Sequence, residues 1–149
     1  NLIVLRTFSK CFSLAGLRAG YAIAHEEIAG ALMRIKPPYS VSIAAEIALI
    51  ECLKNKSFFD QQVNEIIETR EWFFEEVSKH DGIKVYPSHS NYILLQLISA
   101  DAESIYKELR KKGLFIRYFK TQILQNCLRI SIGKKSQMEI FLSEFVKLI

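Results

Sequence analysis

The residues best equipped for chemistry stand near the start of the sequence. In RTFSKCFSLAGLRAGY, Arg6 to Tyr21, Lys10 follows two small hydroxyl residues, Thr7 and Ser9, and Arg18 stands between Gly16 and Gly20. A primary amine condenses with an aldehyde, and a partly desolvated site beside another cation lowers its pKa, so more of it is free to react. Thr and Ser hydroxyls donate hydrogen bonds, and a guanidinium can clamp a phosphate through two charge-assisted bonds. A lysine beside a phosphate-binding group points to a phosphorylated aldehyde. By composition alone the same stretch also describes a surface loop with a solvated lysine and an ion-paired arginine, and both readings stand at this stage.

The elements around this segment are set by hydrophobic periodicity. Leu2 to Leu5 is a continuous apolar run, which suits a strand buried on both faces of a parallel sheet; that places Lys10 just beyond a strand end, where open α/β sheets present ligands. Tyr21 to Ala24 reads as another short buried strand. A helix from about Glu26 to Ile35 follows and stops at Pro37 and Pro38. Ser40 to Lys54 and Phe58 to Val77 read as two consecutive helices, the second long, with Phe59, Val63, Ile66, Phe74 and Val77 at helical spacing.

The pattern changes at His80, Asp81 and Gly82. Strands are expected over Ile83 to Tyr86, Tyr92 to Leu97, Leu114 to Phe119 and Cys127 to Ile132, with helices over Asp101 to Lys112 and near the end of the sequence. Ser136 and Glu139 suggest a capping box for the last helix, and Gly113 a left-handed stop for the one before it. The order β, β, α, β, β, α describes helices layered on a largely antiparallel sheet.

Composition excludes several classes. The 149 residues are 50% hydrophobic with 6 Gly and 3 Pro, too apolar for disorder and too poor in Gly and Pro for a linker-rich chain. The charge of +4 is not a nucleic-acid signature, because the densest basic run, Lys107 to Lys112, sits at a helix end where cations meet the partial negative charge of the last carbonyls. The 3 cysteines, Cys11, Cys52 and Cys127, fit neither a disulfide framework nor a zinc site and suggest a reducing, cytoplasmic setting. His25, His80 and His89 share no metal spacing; His25 suits a helix start and His80 a helix end. The longest apolar stretch, Val41 to Leu53, is too short to span a bilayer and carries Glu46 and Glu51. Trp72 lies off the main apolar face of its helix, and Phe115, Tyr118 and Phe119 read as sheet packing.

TFSK followed by LAGLRAGY resembles the cofactor-lysine signature of the fold-type-I aminotransferases dependent on pyridoxal phosphate, and is most similar to the histidinol-phosphate aminotransferase group. The resemblance implies that Lys10 holds pyridoxal 5'-phosphate through its amine, while Arg18, Thr7 and Ser9 bind its phosphate. Cys11 and Ser13 depart from the Ala and Gly common at those places. Downstream, SHSNYILL (Ser88 to Leu95), GLFIR (Gly113 to Arg117) and CLRISIG (Cys127 to Gly133) are similar to small-domain segments of the family. They imply that Arg129 binds a substrate carboxylate or phosphate, with Arg117 and Asn91 nearby on the substrate side; taken singly, Arg129 would read as a surface arginine.

The implied fold is α/β, the C-terminal part of a fold-type-I transferase. Residues 1–38 would end the large cofactor domain, 39–79 would be interdomain helices, and 80–149 a small α+β domain. The implied activity is transfer of an amino group between histidinol phosphate and 2-oxoglutarate by a cytoplasmic homodimer using small-molecule substrates, with no metal, nucleic acid or membrane. An aromatic-amino-acid aminotransferase, a threonine-phosphate decarboxylase, or a non-catalytic binding domain on the same scaffold are the alternatives. The family's pyridinium-pairing aspartate and ring-stacking aromatic are expected upstream of Asn1, so these 149 residues alone are expected to be inactive.

Overall fold

The computed structural model describes all residues, 1–149, which divide into two compact units, Asn1–Val63 and Asn64–Ile149. In the first unit, β1 (Val4–Thr7) pairs antiparallel with β2 (Gly20–Ile23), from Val4 opposite Ile23 to Thr7 opposite Gly20. This corrects the expectation of strands buried in a parallel sheet. The unit has no further strand, so β1 and β2 satisfy their backbones on each other as an isolated ribbon, and Leu5 and Ile23 are exposed. Gly20 is required there, since a Cβ would stand 2.6 Å from the carbonyl oxygen of Arg6.

Three helices follow. α1 (Glu26–Ile35) is capped by His25, whose Nδ1 accepts from the Glu27 N–H at 3.4 Å, and α2 (Ile43–Lys54) by Ser42, whose hydroxyl oxygen accepts from the Ala45 N–H at 3.1 Å. α3 (Lys56–Ser78) runs on through the division between the units. Ala19 and Ala45 are the only buried hydrophobic residues of the first unit.

The second unit is built on an antiparallel sheet of β3 (Ile83–Tyr86), β4 (Tyr92–Leu97), β5 (Arg117–Tyr118) and β6 (Cys127–Ser131), in the order β3-β4-β6-β5. Alternation sends Ile93, Leu95 and Leu97 of β4 and Leu128 and Ile130 of β6 to one face, where they are buried. Phe73 and Val77 of α3, Ile105 and Leu109 of α4 (Ala102–Lys111), and Phe141 and Phe145 of α5 (Lys135–Val146) complete that core. Trp72 packs against it, half-buried, beneath the Lys135 ammonium at 5.3 Å. The β, β, α, β, β, α order is the one expected.

Three details differ. The strand expected over Leu114 to Phe119 shortens to Arg117–Tyr118, the only residues there with partners on β6, and Phe115 is 78% exposed instead of packed. The last helix starts earlier than Ser136 and Glu139 imply. Gln137 reaches back to accept the Lys134 N–H at 3.1 Å, its Oε1 only 2.7 Å from where a Cβ on Gly133 would stand, so the capping box forms at Lys134 beside the bare glycine. The basic run on α4 is ion-paired as a solvated helix face, Lys107 with Glu103 at 2.9 Å and Lys111 with Glu108 at 2.6 Å. All 3 cysteines are free, no group of His, Cys, Asp or Glu is placed to hold a metal, and no helix is long and apolar enough to cross a membrane.

Candidate active site: a lysine loop and an arginine-bearing sheet face

The residues between β1 and β2 form a loop closed at its base. Phe8 N–H donates to the Ala19 carbonyl at 3.2 Å, carrying the ribbon pairing one step past Thr7 and Gly20, so Ser9 and Arg18 flank the loop's neck. Inside the loop, Ser13 N–H donates to the Lys10 carbonyl at 3.0 Å and Leu14 N–H to the Phe8 carbonyl at 3.2 Å. Phe8 packs on Phe12 and Tyr21, and Phe12 on Phe59 of α3, with ring centroids 5.0 to 5.6 Å apart. These rings anchor the loop within the first unit. Ser13 (φ 56°) and Arg18 (φ 53°) both take the left-handed conformation that L-residues with a Cβ adopt at a cost.

The polar groups gather at that neck. The Thr7 hydroxyl donates to Ser9 Oγ at 2.7 Å, and the Ser9 N–H donates to Thr7 Oγ1 at 3.1 Å. The Arg18 Nη1 donates to the Ala15 carbonyl at 2.8 Å, which leaves its other N–H groups for a ligand. Lys10, Thr7 and Arg18 are exposed and Ser9 half-buried, so the partial desolvation expected around Lys10 is not supplied by this unit. From Asn1 to His25 the sequence contains no Asp or Glu, so the amine, hydroxyls and guanidinium have no local carboxylate competing for them. That donor set fits the phosphate and the aldehyde of pyridoxal phosphate.

In the second unit, the sheet face opposite the core carries the candidate substrate residues. Arg129 stands opposite Leu94 on β4 and Arg117 on β5. Its guanidinium lies 5.0 Å over the Tyr92 ring, and its Nε is buried with no hydrogen-bond partner. Arg117 is exposed and sits 5.6 Å over the Phe119 ring. Neither arginine has an ion-pair partner among Lys112–Glu144 and the other salt bridges of the unit. Like charges directly opposite on neighbouring strands are unfavourable, and an anion bound between them would offset the repulsion. Asn91 is exposed, and its carbonyl accepts the Ile132 N–H at 2.9 Å, which fastens it beside the end of β6. The lysine loop and the arginine face belong to different units: in one, Thr7 and Ser9 bond each other and the Arg18 backbone lies across the neck from Ser9; in the other, Arg117 and Arg129 are cross-strand partners.

Two supporting residues escape the motif reading. Asn126 (φ 59°) accepts the Ala102 N–H on Oδ1 at 2.7 Å and donates through Nδ2 to the Leu97 and Ala100 carbonyls at 2.6 and 2.8 Å, tying the start of β6 to β4 and α4. Arg70, 6% exposed, donates to the Ser90 carbonyl at 3.0 Å and to Glu71 at 2.6 Å, holding the segment that ends in Asn91. Its signal in the sequence is a charged residue at a helical position where Ile66, Phe73 and Val77 set an apolar stripe.

The sequence matches the family described as aminotransferase class I and II over residues 1–145. It is 42% identical to the histidinol-phosphate aminotransferase of Dehalococcoides mccartyi (strain CBDB1) over 134 residues, covering 90% of this chain and 37% of that protein. The fold superposes on the histidinol-phosphate aminotransferase of Clostridium acetobutylicum with a TM-score of 0.83 at 28% identity, covering 97% of this chain and 44% of that one. It superposes on the Sinorhizobium meliloti enzyme of the same name, solved in complex with pyridoxal-5'-phosphate, with a TM-score of 0.80 at 26% identity, covering 100% and 42%. The chain thus spans 37% to 44% of the length of these relatives. Sequence and fold agree: the chain belongs to the class I and II aminotransferase family.

Proposed function

We propose that residues 1–149 supply the cofactor lysine and the anion-binding arginines of a pyridoxal-phosphate-dependent aminotransferase. The proposed reaction is amino transfer from histidinol phosphate to 2-oxoglutarate, in a cytoplasmic homodimer. The observation that carries this reading is the grouping of Thr7, Ser9 and Arg18 at the neck of the loop that presents Lys10, in a stretch free of carboxylates. The names of the relatives at 42% and 28% identity support the choice of substrate. Residues 1–38 are assigned to the cofactor domain, 39–79 to connecting helices and 80–149 to the small domain.

When bound, pyridoxal phosphate supplies an electron sink for the pair released at the substrate Cα. The guanidinium of Arg18 and the hydroxyls of Thr7 and Ser9 hold its phosphate through charge-assisted and neutral hydrogen bonds. Lys10 would hold the group at its aldehyde carbon and, once freed by the amino donor, its amine would take the proton from the substrate Cα and deliver it to that former aldehyde carbon, two bonds away. Arg129, with Arg117 beside it, orients the substrate by its carboxylate or phosphate, and the ring of Tyr92 under Arg129 keeps that guanidinium in place. Because the chain spans about two fifths of these relatives, the reading assigns no complete turnover to residues 1–149 alone.

The test is direct. The 149-residue chain is incubated with pyridoxal phosphate, reduced with borohydride and mapped by peptide mass spectrometry. Selective labelling of Lys10 that vanishes in Lys10→Ala supports the reading. Labelling spread over the surface lysines overturns the cofactor assignment, and measurable transamination by the pure chain overturns the assignment of inactivity.

A further inference from the structure

The second unit carries a groove of about 1010 Å³ between α4 and the segment from Arg117 to Thr121. One wall is a single face of the helix, where Tyr106, Lys107 and Arg110 recur at helical spacing; the other is edge strand β5 and the residues that follow it. Its charge is unbalanced. Glu103 and Glu108 are the only carboxylates lining it, and each is already engaged by a lysine of the same helix, Lys107 or Lys111. Arg110, Arg117 and Lys120 remain without a carboxylate partner, and they come from both walls.

The floor is aromatic. Tyr106 and Tyr118 stack at 5.7 Å with their planes 29° apart, and Phe119 follows with the Arg117 guanidinium over its ring. The Arg110 Nη1 lies 3.5 Å from the Tyr106 hydroxyl, which keeps it over the groove. Cations gathered from two walls without counter-ions repel one another, and a multivalent anion bound among them relieves that repulsion. Half-buried rings beside the cations give a flat organic group a surface to lie on.

We propose that the groove between α4 and β5 binds a nucleoside polyphosphate, its phosphates held by Arg110 and Lys120 and its base laid against the Tyr106, Tyr118 and Phe119 rings. The volume suits a ligand of that size. The groove is lined by residues 103–121 alone and does not depend on Lys10 being the cofactor lysine, so borohydride labelling and nucleotide binding can fail independently.

The experiment titrates the full 149-residue chain with ATP, tripolyphosphate and adenosine by isothermal calorimetry, with amide chemical shifts locating each site. ATP is expected to bind more tightly than tripolyphosphate or adenosine, with shifts centred on residues 103–121. Arg110→Ala and Lys120→Ala should each weaken ATP about tenfold, as expected for loss of a charge-assisted contact, and Lys147→Ala, just past the end of α5, should leave it unchanged. Tyr106→Phe keeps the ring and should retain the preference for ATP over tripolyphosphate, whereas Tyr106→Leu should bring ATP toward the affinity of tripolyphosphate. Equal affinity for ATP and tripolyphosphate in the unmodified chain would overturn the base contact. Shifts centred elsewhere, or equal weakening by Lys147→Ala, would overturn the site.

Discussion

The two units share an apolar composition and treat it differently. In residues 64–149, Phe73, Val77, Ile93, Leu95, Leu109, Leu128 and Phe145 have no measurable exposure, because sheet and helices alternate along the chain and each apolar face finds a partner close by. In residues 1–63, Leu5, Ile35, Ile43 and Ile47 are 59% to 77% exposed on a two-stranded ribbon and on helices, and the unit's own residues bury only two alanines among its hydrophobics. The contrast bears on chemistry. The arginines stand on a sheet whose far face is a packed core. The lysine stands on a loop held by a chain of aromatic rings and by a handful of backbone hydrogen bonds.

The largest expected effect tests that contrast at its centre. Phe73→Ala empties a fully buried site in contact with Phe141 and should cost about 3–5 kcal/mol, whereas Ile43→Ala, at 77% exposure, should stay within about 0.5 kcal/mol. Urea unfolding followed by the fluorescence of Trp72, the only tryptophan and a neighbour of Phe73, reads both changes. Similar costs for the two variants would break the comparison.

Next comes the polar fastening of the second unit. Asn126→Ala removes three side-chain hydrogen bonds and places an alanine in a left-handed conformation, and should cost about 2–4 kcal/mol in the same unfolding measurement. Asn126→Asp retains an acceptor for the Ala102 N–H but turns a carboxylate oxygen toward two carbonyls, so it should rescue little. A loss below about 0.5 kcal/mol for the alanine variant would show that β6 keeps its place without this residue.

What the sequence disclosed follows the same division. β3 and β4 fall at the limits that alternation sets, Ile83–Tyr86 and Tyr92–Leu97, since period-two patterning acts wherever one face is buried. The Leu2 to Leu5 run announces a need for cover but does not say which element provides it, so the parallel-sheet reading fails and an antiparallel ribbon stands in its place. Ser136 and Glu139 have the spacing of a capping box, yet the box that forms lies two residues earlier, where Gln137 accepts from the Lys134 N–H beside bare Gly133. The grouping of Thr7, Ser9 and Arg18 is legible because it depends on neighbouring residues and one hairpin. Asn126 is not, because its partners are 24 to 29 residues away in sequence.

A smaller effect is expected in the lysine loop. Ser13 occupies a left-handed position, so Ser13→Gly relieves a conformational penalty, partly offset by the greater freedom of glycine in the unfolded chain. The net gain should be about 0.5–1 kcal/mol, local to the first unit. It should appear as slower amide hydrogen exchange at Leu14, whose N–H bonds the Phe8 carbonyl, with no change at the β4 amides. Exchange at Leu14 that is unchanged or faster would show that the loop does not store this strain.

The smallest effect is electrostatic, and again separates the units. In the first, the ion pairs Lys54–Glu51 and Lys56–Asp60 join neighbours on one helix; in the second, Lys112 at the end of α4 reaches Glu144 on α5, which Lys147 also engages. The hydrogen bond from Lys112, followed by that from Lys147, lowers the Glu144 carboxyl from 4.5 to about 2. A folded pKa below the unfolded one stabilises the fold above the unfolded value, and that contribution is lost as pH falls from 4.5 toward 2. The pair is solvent-screened, so the loss is small and shrinks further in high salt. Asp101, lowered chiefly by the Ser104 hydroxyl, adds a slope of the same sign, so the informative quantity is the difference between two chains. Between pH 5 and about 2, the urea midpoint read by Trp72 should fall more steeply in the unmodified protein than in Glu144→Gln, in which that position no longer titrates. Parallel pH profiles would mean that α4 and α5 are joined by their apolar contacts alone.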